Sequence, residues 1–268
     1  MPNDPPIYQL YAIRYAMRDA KRSEHFIGGD PHEGPMPMDY FIWVASCGDH
    51  HVVIDTGFTE AVATRRGRQF LQCPLDTMAA LGVTPDSVQD VILTHLHYDH
   101  SGNFNRFANA TFHLQEQELH FATGKYMQHP QMSHSFEVED VCGIVRMNYE
   151  RRVIFYDGDG TLCPGIRMHH TGGHSAGLQF VSVHTKRGWV VLASDAAHFY
   201  ENMDSGRPFT IAYHVGQMLE SFDHLRKVAP SSEHIIPGHD PMVMKIYPTA
   251  KNLNDRVVQL DMPPLPKT

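Results

Sequence analysis

Short runs of aliphatic and aromatic residues, each followed by a cluster of polar residues, recur along most of the chain. The segment MDYFIWVASCGDHHVVIDTG, residues 38–57, contains two such runs, rich in aromatic and β-branched side chains and separated by Gly48 and Asp49. This composition is typical of strands, and a Gly-Asp pair between two strands is typical of a tight turn. The pattern therefore predicts a β-hairpin over residues 38–57.

Helical and extended patterns alternate after this hairpin. A helix is predicted to begin at Asp76 or Thr77, and a short buried strand is predicted over residues 91–93. The segment ATFHLQEQELHFA passes from a strand pattern to a helix pattern around Gln115. Residues 121–152 follow no clear strand pattern, so we expect a mostly helical insertion there.

The second half of the chain repeats this alternation of strand and helix, and no linker rich in Pro, Gly or Ser separates the two halves. Strand and helix units on both sides of an internal pseudo-repeat indicate an α/β fold with two sheets sandwiched between helices. A chain of 268 residues is within the range of one large domain. We therefore expect a single domain over residues 1–268.

Composition narrows the range of functions. Acidic residues outnumber Lys and Arg by 30 to 22, giving a net charge of -8, which argues against binding to a phosphate backbone. The first residues lack the layout of a signal peptide, and no stretch approaches the roughly 18 apolar residues of a membrane span. The four cysteines are scattered without C-x-x-C spacing, as expected of free thiols. We expect a cytoplasmic protein without nucleic-acid or membrane partners.

The densest chemistry lies in VILTHLHYDHSGN, residues 91–103. Because side chains alternate along a strand, His95 and His97 should project to the same side as the strand ends. Asp99 and His100 follow in a turn that can aim them at a second, adjacent position. Imidazole and carboxylate ligands without thiolate favour Zn, Fe, Mn or Co at a catalytic site. The alternative is a histidine-rich polar turn on the surface.

Three more candidate ligands follow aliphatic or glycine-rich segments: His174 in HHTGGHSAG, Asp195 in VVLASDAAH and His239 in HIIPGHD. A carboxylate at Asp195 can bridge two cations with one oxygen each, and a hydroxide can bridge them on the other side. Such a hydroxide is a nucleophile at neutral pH, because a bound metal lowers the pKa of water from about 15.7 to about 7. The motifs thus predict a hydrolytic centre with two metal ions.

The ordered motifs resemble those of the metallo-β-lactamase superfamily, whose signature H-x-H-x-D-H stands here as HLHYDH, residues 95–100. The resemblance extends from VVIDTG at residues 52–57 to IIPGHD at residues 235–240, and it implies an αββα sandwich. It assigns His95, His97 and His174 to one metal, and Asp99, His100 and His239 to the other. It makes Asp195 the ligand shared by both metals. Asp55 is similar to the family's buried carboxylate that orients the metal-bearing loops, with turn capping as its alternative role.

Within the superfamily the chain looks most like the N-acyl homoserine lactonases, because of its length, its long N-terminal region and its helical insertion. Asp195 occupies a position where the commonest zinc β-lactamases carry Cys, and flavodiiron oxygen reductases carry Glu in place of His97. A thioesterase of the glyoxalase II type would add a basic, helical C-terminal part. These differences disfavour β-lactam hydrolysis, oxygen reduction and thioester hydrolysis of the glyoxalase II type.

One position departs from the lactonase pattern. The lactonases carry a Tyr three residues after the bridging Asp, where it contacts the substrate carbonyl, whereas DAAHFY places His198 there and Tyr200 two residues further on. A neutral imidazole can donate a hydrogen bond to a carbonyl or a leaving oxygen, as a phenol does. A surface imidazole is the alternative for His198, and packing is the expected role of Tyr200.

The substrate pocket is expected to include apolar residues of the N-terminal loop, with core packing as the alternative. Phe26, Ile27 and Met36 are the candidates to cover an acyl chain or ring. Further candidates around the same cavity are Met127, Met132, His25, His32, His129 and His134.

We therefore expect a metal-dependent hydrolase that opens the ring of an N-acyl homoserine lactone or a related small lactone. In the expected mechanism one metal polarises the carbonyl, the bridging hydroxide attacks it, the second metal takes the leaving ring oxygen, and Asp99 passes the proton. Two Zn²⁺ ions are the expected cofactors, with Fe, Mn or Co as alternatives, and assembly as a homodimer is left open. The rival functions are hydrolysis of another ester, thioester or cyclic amide in a catabolic pathway, and metal binding without turnover.

Overall fold

Two β-sheets form the centre of the computed structural model, which describes residues 4–251, 253 and 255–266. The first sheet takes most of its strands from the first half of the chain. These are β1 (Gln9–Arg18), β2 (Met38–Cys47), β3 (His50–Ile54), β4 (Gln69–Phe70), β5 (Asp90–Ile92), β6 (Thr111–Gln115) and β7 (Val153–Tyr156). The strands lie in the order β1-β2-β3-β5-β6-β7, and β4 pairs with β1. From β3 to β7 the neighbours run parallel.

The second sheet comes from the other half of the chain. Its strands are β8 (Gly160–Cys163), β9 (Ile166–His170), β10 (Gln179–Thr185), β11 (Gly188–Ser194) and β12 (Ile235–Pro237). They lie in the order β12-β11-β10-β9-β8, and only the β11–β12 pair is parallel. A final strand, β13 (Val257–Gln259), returns to the first sheet beside β1.

The two sheets pack face to face because their strands alternate apolar side chains on both faces. In β2, Phe41 and Trp43 belong to the core between the sheets, whereas Ile42 and Val44 face the core under the helices. Strand β11 of the second sheet alternates in the same way between the central core and an outer core. The alternation produces three apolar cores and hence four layers.

Helices cover both outer faces. Their bounds are α1 (Glu60–Arg65), α2 (Pro74–Ala80), α3 (Tyr98–Ser101), α4 (Glu116–Ala122), α5 (Pro130–Ser133), α6 (Val138–Tyr149), α7 (Tyr200–Ser205), α8 (Val215–Val228) and α9 (Met242–Ile246). Single 3-10 turns lie at Arg22–Glu24, Pro85–Ser87, Phe104–Arg106, Lys125–Gln128 and Ser232–His234. The predicted αββα architecture is confirmed. Among the described helices, none combines the length and apolar character needed to cross a lipid bilayer.

Local predictions fare unevenly. The hairpin over residues 38–57 is confirmed, with its turn at Gly48 and Asp49. Helix α2 begins at Pro74 rather than at Asp76 or Thr77, because proline suits the first helical position, where no backbone N–H is needed. Residues 121–152 contain a 3-10 turn, α5 and α6. The single-domain organisation over residues 1–268 stays a prediction.

The placement of the first histidine motif differs from the prediction. Strand β5 ends at Ile92, so His95 and His97 lie in a loop, and strand alternation does not explain their position. Asp99 and His100 lie in the short helix α3 that follows this loop. The loop begins at the carboxyl end of a parallel strand, the edge at which open α/β sheets commonly bind ligands.

Gly102 allows this motif to pack tightly against the end of β3. Its backbone N–H donates a hydrogen bond to the carbonyl oxygen of Gly57 over 2.7 Å. A Cβ atom at residue 102 would lie only 2.7 Å from that oxygen and 2.9 Å from Cα of Phe58. Both neighbours are backbone atoms, so they cannot move aside as a flexible side chain would.

We predict that Gly102→Ala lowers the free energy of unfolding by about 1–3 kcal/mol, because overpacking forces the backbone to shift. Urea unfolding followed by circular dichroism measures the change. Gly34→Ala is the matched control: a Cβ there has its nearest neighbour at 3.9 Å. The control should change the free energy of unfolding by no more than about 0.5 kcal/mol. Equal midpoints for the two variants would contradict the packing argument.

Candidate metal centre

Four loops bring together the seven ligands predicted from the sequence. These residues are His95, His97, Asp99, His100, His174, Asp195 and His239, and all are buried. The first four follow β5, His174 lies between β9 and β10, and the last two directly follow β11 and β12. Ligands from both sheets therefore meet at one edge of the sandwich.

The seven side chains form two groups on either side of the Asp195 carboxylate. The first group is His95, His97 and His174, together with Asp195. The second group is Asp99, His100 and His239. Within each group the possible ligand atoms lie within 4.8 Å of one another. Oδ2 of Asp195 is 3.0 Å from Nε2 of His174 and 3.7 Å from Nε2 of His95. Its Oδ1 is 3.3 Å from Nε2 of His100 and 3.0 Å from Nε2 of His239. One carboxylate oxygen thus faces each group, as a bridging ligand requires.

The donor atoms fit a pair of divalent metal ions. Nε2 of His95 and of His100 are buried, and neither has an aligned hydrogen-bond partner among the described residues. An unpaired buried nitrogen is costly unless another group binds it. Burial lowers the pKa of His95 and of His97 well below the ordinary value, so both imidazoles are neutral, which is the form that binds metal.

Opposite charges are concentrated around His100 and Asp195. Burial disfavours the charged form of His100, but the carboxylates of Asp195, Asp55 and Asp99 outweigh burial and raise its pKa well above the ordinary value. Burial likewise disfavours the ionised form of Asp195, but the surrounding imidazoles, among them the protonated His100, hold its pKa well below the usual range. The ionised carboxylate therefore depends on positive charge close by.

Asp55 connects the two sheets behind the ligands. Its Oδ1 accepts a hydrogen bond from the backbone N–H of Thr94 over 2.7 Å, and its Oδ2 lies 2.7 Å from Nδ1 of His100. The Thr94 hydroxyl donates to Asp55 and lies 2.8 Å from the hydroxyl of Ser194, next to Asp195. Asp55 and Ser194 have positive φ angles of 60° and 46°, which side-chain residues rarely adopt. These contacts are those of a carboxylate that orients a ligand.

Glu118 on α4 is a buried carboxylate that the sequence analysis does not single out. Its Oε1 accepts from the backbone N–H of Leu96 over 2.9 Å. Its Oε2 accepts from the hydroxyl of Ser175 and from the backbone N–H of Gly177, over 2.5 and 2.9 Å. Burial raises its pKa, against these three hydrogen bonds. Acidic residues are common in the first turn of exposed helices, so the sequence offers no signal that this one joins the loop of His95–His97 to the loop of His174.

His198 lies against the same cluster. Its Nε2 is 3.0 Å from Oδ2 of Asp195, and its ring stacks on Phe209 with centroids 3.6 Å apart. The side chain is 1% exposed, so the surface alternative for this residue is wrong. Burial lowers its pKa to about 3, and the imidazole is therefore neutral. Tyr200 packs against the central core and the outer core of the second sheet, as expected.

A cavity of about 160 Å³ opens above the ligands. Its lining includes the apolar side chains of Met38, Phe209 and Ile211, together with arginine and tyrosine side chains. A smaller pocket of about 60 Å³ adjoins it through the shared residues His97, His134, His174 and Ile211. Of the further candidates named from the sequence, Met132 and His134 line this space.

The N-terminal loop residues expected to contact the substrate lie outside this cavity. Within the described residues, Phe26, Ile27 and Met36 do not line it. Phe26 is fully buried beneath the guanidinium groups of Arg22 and Arg207, and Ile27 is 39% exposed to solvent. The loop contributes indirectly instead, because His25 stacks on the Phe209 ring that supports His198. Sequence composition does not reveal which side of a loop faces a cavity.

The family profile of the Metallo-beta-lactamase superfamily matches residues 39–239, well over half of the chain. The chain belongs to the metallo-beta-lactamase superfamily. The matched range includes all seven candidate ligands and Asp55. The family that the motifs indicate is therefore confirmed.

Several known proteins are similar to this chain in sequence or in structure. The N-acyl homoserine lactonase AiiA of Bacillus thuringiensis subsp. kurstaki is 27% identical over 205 residues, which cover 70% of this chain and 76% of that protein. The N-acyl homoserine lactonase AttM of Rhizobium johnstonii is 28% identical over 252 residues, which cover 83% and 88%. A crystal structure of an N-acyl homoserine lactone hydrolase with the product N-hexanoyl-L-homoserine at its catalytic metal centre has a TM-score of 0.74 and 22% identity, covering 90% of this chain and 96% of that one. This last similarity supports the fold.

We predict that Glu118→Gln lowers the free energy of unfolding by about 2–3 kcal/mol, because an amide NH2 would face a buried N–H or O–H donor. The variant should also lose bound metal faster during dialysis against a chelator, since the two ligand loops are no longer tied. Glu116→Gln, on the exposed side of the same helix, is the control and should match the wild type in both measurements. Identical chelator kinetics for all three proteins would exclude this role of Glu118.

Proposed function

We propose that this protein hydrolyses the ring of a small lactone at a centre with two metal ions. The carrying observation is the buried Asp195 carboxylate, each oxygen of which faces one group of three further ligands. The similarity to AiiA and AttM, both named N-acyl homoserine lactonases, supports a lactone as the substrate class.

In this proposal one ion is held by His95, His97 and His174. The other ion is held by Asp99, His100 and His239. Asp195 is shared. We propose zinc, because the donors are imidazole nitrogens and carboxylate oxygens. When bound, such ions polarise a carbonyl and lower the pKa of water towards neutrality.

The chain's own side chains take the remaining roles. Asp99 lines the cavity, with its Oδ2 at 3.7 Å from Nε2 of His100 and 3.8 Å from Nε2 of His239. In the proposal this carboxylate accepts a proton from the attacking water and passes it to the departing ring oxygen. His198, also in the cavity wall, donates a hydrogen bond to the substrate carbonyl or to the departing oxygen.

We also propose that the protein acts in the cytoplasm on a small molecule, without nucleic acid or membrane as partner. The net charge of -8 supports the exclusion of nucleic acid.

We predict close to two transition-metal ions per chain by elemental analysis, because seven N and O ligands exceed the coordination number of one ion. Asp195→Asn should lose at least one ion and nearly all lactonase activity while keeping its circular dichroism spectrum, since the amide keeps the shape of the carboxylate but not its charge. Asp159→Asn is the control. Asp159 belongs to a partly exposed group with His169 and His224 elsewhere on the second sheet, and its variant should keep both ions. One ion or fewer in the wild type after metal supplementation would contradict the proposal.

We predict that His198→Ala lowers kcat by roughly 10- to 1,000-fold with metal content unchanged, the range for an acid or oxyanion donor. His198→Tyr should recover part of this rate on homoserine lactones, because a phenol can stack on Phe209 and still donate a hydrogen bond. His184→Ala removes a histidine at the far side of the second sheet and should leave kcat unchanged. Wild-type kcat in His198→Ala, or loss of a metal ion from it, would overturn the assigned role.

A further inference from the structure

One wall of the cavity above the ligands is cationic. Arg18 at the end of β1, and Arg66 and Arg68 in the connection between α1 and β4, all line it. The carboxylates in the same cavity are Asp99 and Asp195, and both belong to the metal ligand groups. When the metal ions neutralise these two carboxylates, no other carboxylate among the described lining residues is left to balance the guanidinium groups inside the cavity.

Arg66 and Arg65 bind groups of the protein itself. Arg66 donates from Nε to Glu137 over 2.7 Å and from Nη1 to the carbonyl oxygen of His134 over 2.8 Å. Arg65 also pairs with Glu137, over 2.6 Å. The hydrogen-bonding capacity of Arg66 is therefore directed at the loop before α6.

Arg68 and Arg18 keep donors that have no acceptor among the described residues. Arg68 donates from Nε to the hydroxyl of Tyr98 over 3.0 Å and from Nη1 to the carbonyl oxygen of Arg66 over 2.8 Å. Its Nη2 has no acceptor, and the guanidinium has no ion pair, within the described part of the chain. Arg18 pairs with Glu24 at 3.3 Å through Nη1, while its buried Nε is without a partner among the described residues.

The tyrosines beside Arg68 extend this wall of donors. A guanidinium can only donate, so the Tyr98 oxygen accepts from Arg68 and its hydrogen points to the hydroxyl of Tyr40, 3.2 Å away. The Tyr40 hydroxyl, which lines the cavity, then has its own hydrogen to offer. Arg68, Tyr98 and Tyr40 thus form a chain of donors that ends at a cavity-lining tyrosine, and the last hydroxyl hydrogen has no acceptor among the described residues.

We propose that this wall binds a carboxylate of the substrate, held by Arg68 with Arg18 and the Tyr40 hydroxyl, so that the preferred lactone carries a carboxylate on its ring or on a short substituent. The inference rests on the proposed lactone hydrolysis and names its substrate class. A planar guanidinium matches a carboxylate with two parallel hydrogen bonds, and such charge-assisted bonds are about twice as strong as neutral ones. The volume of about 160 Å³ favours a small ring over a long acyl chain.

The first experiment compares two probes with the metal-loaded, full-length protein: γ-butyrolactone bearing a carboxylate at the ring carbon β to the carbonyl, and the same ring bearing a carboxamide. The two differ in charge and hardly in shape. We expect kcat/KM to be about 10- to 100-fold higher for the carboxylate, the range for hydrogen bonds to charged groups, and to fall with added salt. Equal kcat/KM for the two rings, or a preference for the carboxamide, overturns the proposal.

Variants then locate the preference. Arg68→Gln should bring the carboxylate and carboxamide rates to within about threefold of each other, chiefly through KM, whereas Arg68→Lys should keep part of the preference because the charge remains. Arg65→Gln removes the same charge outside the cavity and should keep the full preference. Arg18→Gln tests the second donor if Arg68→Gln does not fold. A preference that survives in both Arg68→Gln and Arg18→Gln overturns the assignment.

Calorimetry separates this proposal from the lactonase proposal. The ligands are the ring-opened dicarboxylate and its analogue with a carboxamide in place of the side carboxylate. If neither lactone is opened, the proposed function fails. The carboxylate site still stands if the dicarboxylate binds wild type about tenfold more tightly than the amide and loses this advantage in Arg68→Gln. Equal affinities of the two ligands for the wild type overturn it.

Discussion

The burial of the Asp195 carboxylate between two groups of candidate metal ligands, most of them imidazoles, is the constraint on which this structure depends. Asp195 follows the strand β11, and its two oxygens face His174 and His95 on one side and His239 and His100 on the other. A buried carboxylate is stable only where positive charge and hydrogen bonds compensate for lost hydration. The loops after β5, β9 and β12 must therefore converge on the end of β11. This requires the two sheets to pack with the ends of these strands at the same edge of the sandwich.

Two other buried carboxylates hold these loops in place from behind. Asp55 connects Thr94 and His100, and through Thr94 it reaches Ser194 of the second sheet. Glu118 connects the loop that begins the histidine motif to the loop that carries His174. Both accept hydrogen bonds from backbone N–H groups, so they restrain the main chain and not only the side chains. Rigid support of this kind is what a site needs if two cations are to be kept at a short, fixed separation.

Different parts of the fold determine the chemistry and the shape of the cavity. The ligands come from loops at the ends of strands, whereas the cationic wall comes from β1 and from the connection between α1 and β4. Phe209 and Ile211, which also line the cavity, lie between α7 and α8. Because Arg68 belongs to neither ligand group, it can influence which substrate fits without changing the groups proposed to carry out hydrolysis.

The sequence alone determined the alternation of strands and helices, the hairpin over residues 38–57, the family and the set of residues that form the buried cluster. These features have local signals, namely alternation, turn residues and the spacing of motifs. Only the tertiary structure decided that Glu118 is buried, that Phe26 lies outside the cavity and that Arg68 faces it. Each of these depends on contacts between distant segments, such as Glu118 with Ser175 or Phe26 with Arg207. Local periodicity defines the faces of a helix or strand, but side-chain direction in a loop is fixed by the surfaces that pack around it.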